Sequence, residues 1–298
     1  MIHLCDPRLL LPALLGLLPA GTPYDPPADP PRAAVQDPRP AGDDSAADPA
    51  LQAVLESTAR AGIRLDLERG LVAIETQVLV RHDLLEYLLT GAGGSSHETL
   101  LVTEVQPSLL NTALLLTGVE RGRNAAWVPR VPEPTEEERQ AGVSPYEIRY
   151  PEGDGFLLYL AWRQEGSTYL FRVEDLMNNL ATGRSMRRHR WVYIGSRFAP
   201  LREGGEEVFM ADAELNLINV AFFHEGNTLV TAGLPECLEQ TIWVANSWLV
   251  PPAGSAVQLI FARGEITDLG EEWSAALPEV PGAEPDADDG GAGTGGGR

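Results

Sequence analysis

The chain has 298 residues and no lysine; all 22 basic residues are arginine. That excludes a Schiff-base lysine and a phosphate-binding P-loop lysine. Cysteine is nearly absent, with only Cys5 and Cys237 in the chain. If Cys5 leaves with a targeting segment, one thiol remains. One thiol is too few for an internal disulfide, an iron–sulfur cluster or a cysteine-based zinc site. Cys237, in "LPECLEQ", reads as a small buried apolar residue rather than a nucleophile. Positive charge is also scarce, and the formal net charge is −21. Such a chain has no basic footprint for nucleic acid and no attraction to an anionic bilayer surface. The N-terminal apolar run is too short for a transmembrane span. Within residues 50–276, GxGxxG, GxSxG, HExxH and P-loop spacings are missing. No cofactor is expected. Core material is not lacking, since 44% of residues are hydrophobic, enough for a real core.

The N-terminus, "MIHLCDPRLLLPALLGLLPAGTPYDPP", has an apolar run from Leu9 to Ala20 after Arg8. Residues 1–21 read as a secretory signal peptide, which implies a periplasmic or extracellular protein. Residues 22–49 are Pro, Asp and Ala with few large apolar side chains, and are expected to be a disordered tether. Residues 277–298, acidic and Gly-rich, are expected to be a disordered tail. Residues 50–276 are left as a single domain.

Within that domain, Leu51, Val54, Leu55 and Thr58 share one side of a short helix that Gly62 stops. "IRLDLERGLVAIETQVLV" reads as strands around a Glu68–Gly70 turn. "GFLLYLAWRQEGSTYLFRV" is a hairpin signal, two aromatic β-prone runs joined through Gln164, Glu165 and Gly166. "EEVFMADAELNLINVAFF" reads as a second hairpin turning at Asp212 to Asn216, and Val173 to Leu180 as a short helix. Hairpins outnumber any βαβ pattern. The fold class expected is α+β, a mainly antiparallel or mixed sheet with several short helices. "HETLLVTEVQPSLL" is echoed by "HEGNTLVTAGLPECL", which is either chance or a duplicated strand-loop-helix unit.

Three residues stand out as ligand-binding candidates: His97, Glu98 and Asn111. His97 and Glu98 follow the turn-forming "GGSS" and precede an apolar strand. On a strand, neighbours face opposite ways, so the pair can act together only at a turn. Asn111 lies on a helix opened by Pro107 and closed by Gly118, among leucines. A buried amide needs partners, and His97, Glu98 and Thr103 are the nearest candidates in sequence. The trio is therefore either a structural rivet or a pocket. Arg184, Arg187 and Arg188, in "GRSMRRHRW", are anion-binding candidates, or a solvated turn that pairs with acidic neighbours. No metal site is expected.

"SHETLLVTEVQPSLLNTALLLTG", "RVEDLMNNLATGRSM…RWVYIGSRF" and "FMADAELNLINVAFF…NTLVTA" together resemble bacterial YdjY-domain proteins, exported proteins of planctomycete-like bacteria. The likeness covers most of Gly62 to Gly264. It implies export and a YdjY-like domain over 50–276, without a known activity. Some relatives are described as ferredoxin-like through cysteine-rich segments, which this chain lacks, so redox carriage does not carry over. The family pattern usually has a histidine where Asn111 stands. The expectation is an exported acidic binding or envelope-associated module. Its partner is an unknown envelope protein or small ligand. The alternative is a metal-dependent or acid–base hydrolase centred on His97, Glu98 and Asn111.

Overall fold

The computed structural model describes residues 49–282. The expected signal peptide, nearly all of the tether and most of the expected tail lie outside these residues. Helix α1 (Pro49–Arg60) ends at Gly62, whose φ is +78°, and leads into β1 (Ile63–Asp66) and β2 (Leu71–Val78). β3 (Tyr87–Gly91) and β4 (Thr99–Thr103) precede α2 (Pro107–Leu116). β5 (Ala126–Pro129) and β6 (Tyr146–Arg149) form a separate ribbon around the short α3 (Glu136–Gln140). β7 (Gly155–Gln164) and β8 (Ser167–Arg172) follow, then β9 (Met177–Asn179), β10 (Arg184–Ser185) and β11 (Trp191–Tyr193). β12 (Phe198–Pro200), β13 (Glu207–Phe209) and α4 (Met210–Glu214) lead to β14 (Asn216–Asn219). β15 (Val230–Thr231), β16 (Trp243–Ala245), β17 (Ala256–Ala262) and α5 (Glu271–Ala275) complete the chain.

The main sheet has the order β1-β2-β17-β7-β11-β15-β14-β3-β4, and β2 pairs again with β4 through Gln77↔Val102 and Val78↔Leu101. The eight strands from β2 round to β4 therefore close into a barrel, with β1 and β8 attached through β2 and β7. Strand accounts for 34% and helix for only 21%. This overturns the expected α+β class with an open sheet: the fold is mostly β. The helices are short, and one non-local pairing turns the sheet into a ring, which removes two exposed edges.

β7 shows why a nearly unbroken apolar run forms a strand here. Phe156, Leu158, Leu160 and Trp162 enter the main core. Leu157, Tyr159 and Ala161 enter a second core with Leu269, Trp273 and Leu277. Both faces are covered, so the usual alternation is hidden. The expected hairpin forms: Glu165 and Gly166 take positive φ (51° and 77°) between Gln164 and Ser167, a turn that suits the strand twist. Leu277 and Val280 are also buried, past the expected boundary at 276.

Two local expectations change. The segment from 206 to 223 is not a hairpin. Met210–Glu214 winds into α4, Leu215 caps it in the left-handed region (φ +57°), and β13 and β14 pair with other strands. Val173 to Leu180 is a 3-10 turn running into β9. The sequence echo is structural. β3–β4 and β14–β15 are both parallel pairs, and they meet antiparallel at β3–β14. In each unit a threonine donates to the carbonyl two residues on: Thr99 to Leu101 at 3.1 Å, Thr228 to Val230 at 3.5 Å. In each, a proline then opens a helical turn, at Pro107 and Pro235.

The core also holds a charge. Glu174 is fully buried and accepts from Arg172 Nε (3.1 Å) and Nη2 (2.6 Å), and from Trp191 Nε1 (3.1 Å). Arg172 donates further to the His189 carbonyl at 2.7 Å. Burial lowers the pKa of the adjacent His189, opposed by the charge of Glu174. Removing one member of such a pair strands the other charge. Glu174→Gln is expected to cost about 3–5 kcal/mol, measured by urea unfolding, and joint replacement of Arg172 and Glu174 by methionine and leucine to recover most of it. A loss below about 1 kcal/mol for the single change would mean that the pair is not stressed.

Candidate functional site

The glycine-serine stretch docks onto the start of β14. Gly91 N–H donates to the Leu215 carbonyl (2.7 Å), and Ser95 N–H donates to Asn216 Oδ1 (2.9 Å). A Cβ on Gly94 would lie 2.6 Å from the Leu215 carbonyl oxygen and 2.7 Å from Asn216 Oδ1. Only glycine permits this approach. Ser96–Glu98 then form one 3-10 turn, and on it His97 Nε2 lies 2.7 Å from Glu98 Oε1. Glu98 also lies close enough to Glu86 for its charge to raise the pKa of that carboxyl. The His97 side chain is 79% exposed.

Asn111 is held elsewhere. α2 forms as expected, with Pro107 in its first turn and Gly118 (φ +75°) past its end. The Tyr193 hydroxyl, from β11, donates to Asn111 Oδ1 at 2.6 Å. Burial pushes the Tyr193 phenol up to about 12, so it stays a neutral donor. Among the described residues no hydrogen bond joins Asn111 to His97 or Glu98. The amide does rivet its helix to the barrel, but its partner is a tyrosine 82 residues away in sequence.

The arginine cluster pairs with acids. Arg187 forks onto Glu236 (2.6 and 2.7 Å) and Arg188 onto Asp175 (3.1 and 2.6 Å). Arg184 is exposed on β10. Cys237 is fully buried, and burial raises its thiol to about 12. Among the described residues no group of three His, Cys, Asp or Glu side chains is placed to hold a metal ion, and no helix is long and apolar enough to cross a membrane.

What the two parallel units do build is a cavity of about 260 Å³ between the ends of β3, β14 and β15. One wall is Tyr87 stacked on Phe223, with ring centroids 5.2 Å apart and an interplanar angle of 5°. Burial raises the Tyr87 phenol to about 12. Asn216 and Asn227 are committed to the scaffold: Asn216 to Ser95, and Asn227 between Arg197 Nε (2.7 Å) and Glu214 Oε1 (2.5 Å). Asn219, 2% exposed, lines the same cavity, and its Oδ1 has no partner. Glu214 and Glu225 complete the rim. Sequence reasoning passed over Tyr87, Asn219 and Glu214. The available signal was a tyrosine and an asparagine set inside otherwise apolar strands, in "LLEYLL" and "NLINVAFF".

Comparison with protein-family models, curated proteins and solved structures finds no match. The site must be read from its own chemistry.

Glu86 supplies a pH test beside the cavity. Burial raises its pKa above 4.5, and the charge of Glu98 adds to the rise, opposed by His97. A raised carboxyl pKa means that the ionised form is held at a cost in the fold. The cost is present above the folded pKa and disappears as pH falls toward the unfolded value. Glu86→Gln is therefore expected to melt higher than wild type at about pH 7, with the gap closing near about pH 4. A gap that widens on acidification would contradict the assignment.

Proposed function

We propose that the protein is an exported acidic binding module, resembling YdjY-domain proteins, whose cavity beside Tyr87 takes the ammonium or guanidinium end of a small basic ligand. The observation that carries this reading is the unpartnered Oδ1 of buried Asn219. The acceptors left over around the cavity are this carbonyl, the second carboxylate oxygen of Glu214 and the Glu225 oxygen that does not face His224. A ligand that satisfies them must donate. The stacked Tyr87 and Phe223 rings present π faces, which attract cations. The net charge of −21 draws cations from a distance. The volume of about 260 Å³ suits one amine-bearing head rather than a polymer. Export rests on the apolar run from Leu9 to Ala20 and on the family resemblance. The hydrolase alternative loses support, because Asn111 is bonded to Tyr193 instead of sharing a site with His97 and Glu98.

Agmatine, which carries both head groups, is the probe. Calorimetric titration at low salt is expected to show saturable binding that weakens as salt is added. Glu214→Gln keeps an acceptor for Asn227 but removes the charge, and is expected to weaken binding by about tenfold, or ~1.4 kcal/mol. Asn219→Leu should weaken it similarly in the folded fraction. Binding of a neutral polyol in preference to agmatine, or agmatine binding indifferent to both changes, would overturn the reading.

A further inference from the structure

We propose that Asn124, which lies outside the barrel, is a positioning residue for the cavity beside Tyr87: it holds the loop that carries Phe223 and so keeps that ring stacked on Tyr87. Given that cavity's reading as a cation site, on which this role rests, Asn124 sets affinity without touching the ligand.

The two rings of that wall have different supports. Tyr87 belongs to β3, inside the main sheet. Phe223 belongs to neither a strand nor a helix, since β14 ends at Asn219 and β15 begins at Val230. Hydrogen bonds fix both ends of the loop between them: Phe222 N–H donates to the Cys237 carbonyl (2.9 Å), and Ser196 Oγ donates to the Asn227 carbonyl (2.6 Å). Among the described residues, the main chain from Phe223 to Gly226 takes part in one hydrogen bond. Asn124 makes it, donating from Nδ2 to the Phe223 carbonyl at 2.6 Å. A group carried on a loop keeps its geometry only as well as its supporting contacts do.

Asn124 is in turn tied to the barrel. Gly122 N–H donates to the Tyr193 carbonyl on β11 (2.8 Å), and Arg123 exchanges main-chain hydrogen bonds with Glu152 (2.8 and 3.1 Å). The β5–β6 ribbon then lies along the loop. Tyr150 packs a tilted ring on Phe222, with centroids 6.1 Å apart, and Trp127 meets the His224 ring at 5.8 Å and 79°. Three successive loop residues thus each touch the ribbon or its flanks, and the middle contact is the hydrogen bond. The carbonyl and the ring of Phe223 hang from one Cα, so a peptide that rotates carries the ring away from its parallel stack at 5.2 Å and 5°. A cation is drawn to a π face only within about 6 Å of the ring centroid, so it feels that departure. Asn124 Oδ1 has no partner, and only the donating half of the amide is engaged.

The test uses the full chain and two variants, Asn124→Ala and Asn124→Asp. The second keeps the side-chain shape but replaces the N–H donors, at about pH 7, with a carboxylate that repels the Phe223 carbonyl. Both are expected to shift the Tyr87 ring resonances, assigned through Tyr87→Phe, because the ring current of Phe223 moves. Agmatine binding, measured by calorimetry on folded protein, should weaken by about fivefold in both. Val131→Ala, at an exposed position (94%) between β5 and β6, should change neither. A bond that serves stability alone would lower the melting temperature and leave the Tyr87 shifts and the affinity in place, which would overturn the proposal. So would shifted rings with unchanged affinity, or an effect of Asn124→Ala that Asn124→Asp fails to reproduce. The ring shifts need no ligand. If agmatine does not bind wild type, the cation reading falls, and unmoved Tyr87 shifts in the variants would separately refute the positioning role.

Discussion

Ring closure is the constraint on which the rest of the molecule depends. β2 lies between β17, which it pairs along seven positions, and β4, which it pairs along two. That short second contact makes the sheet circular. It fixes where β4 ends and so where α2 begins, which lets Asn111 reach Tyr193 on β11. It also holds the β3–β14 seam inside a continuous wall rather than at an edge. The cavity beside Tyr87 exists because two parallel units abut at that seam.

Polar groups inside this wall fall into two kinds. Glu174 itself is satisfied, accepting from an arginine and an indole, although Nε2 of the neighbouring His189 has no partner. A buried ionic network of this sort is costly to disturb, and it joins the end of β8 to the start of β11. Asn219 and Trp162 belong to the other kind, buried and without partners. The first is an acceptor and the second a donor.

Much of the local structure was legible in the sequence. Pro107 and Gly118 bracketed α2 because their dihedral limits are intrinsic. Gln164, Glu165 and Gly166 announced the hairpin for the same reason, and Gly62 the end of α1. The fold class was not legible. Closure depends on Gln77 and Val78 meeting Leu101 and Val102, and no local pattern encodes that meeting. Asp212 to Asn216 looked like a hairpin turn because turn and helix-cap residues overlap in type; Leu215 in the left-handed region decided for the helix. At the site, His97 and Glu98 were correctly tied to a turn. Asn111 was correctly expected to need a partner, but the partner came from β11, beyond the reach of proximity in sequence. Tyr87 and Asn219 went unnoticed because each is one polar group in an apolar run, a pattern that more often marks a satisfied core residue.

The central claim is that a basic ligand satisfies Asn219. The most direct measurement is the NMR signal of the Asn219 side-chain amide, assigned by its loss in Asn219→Leu and followed while agmatine is added. The account predicts that this resonance and those of the Tyr87 ring shift together to saturation, while the Asn111 amide, bonded to Tyr193, stays in place. Saturable shifts elsewhere with Asn219 and Tyr87 unmoved would contradict it.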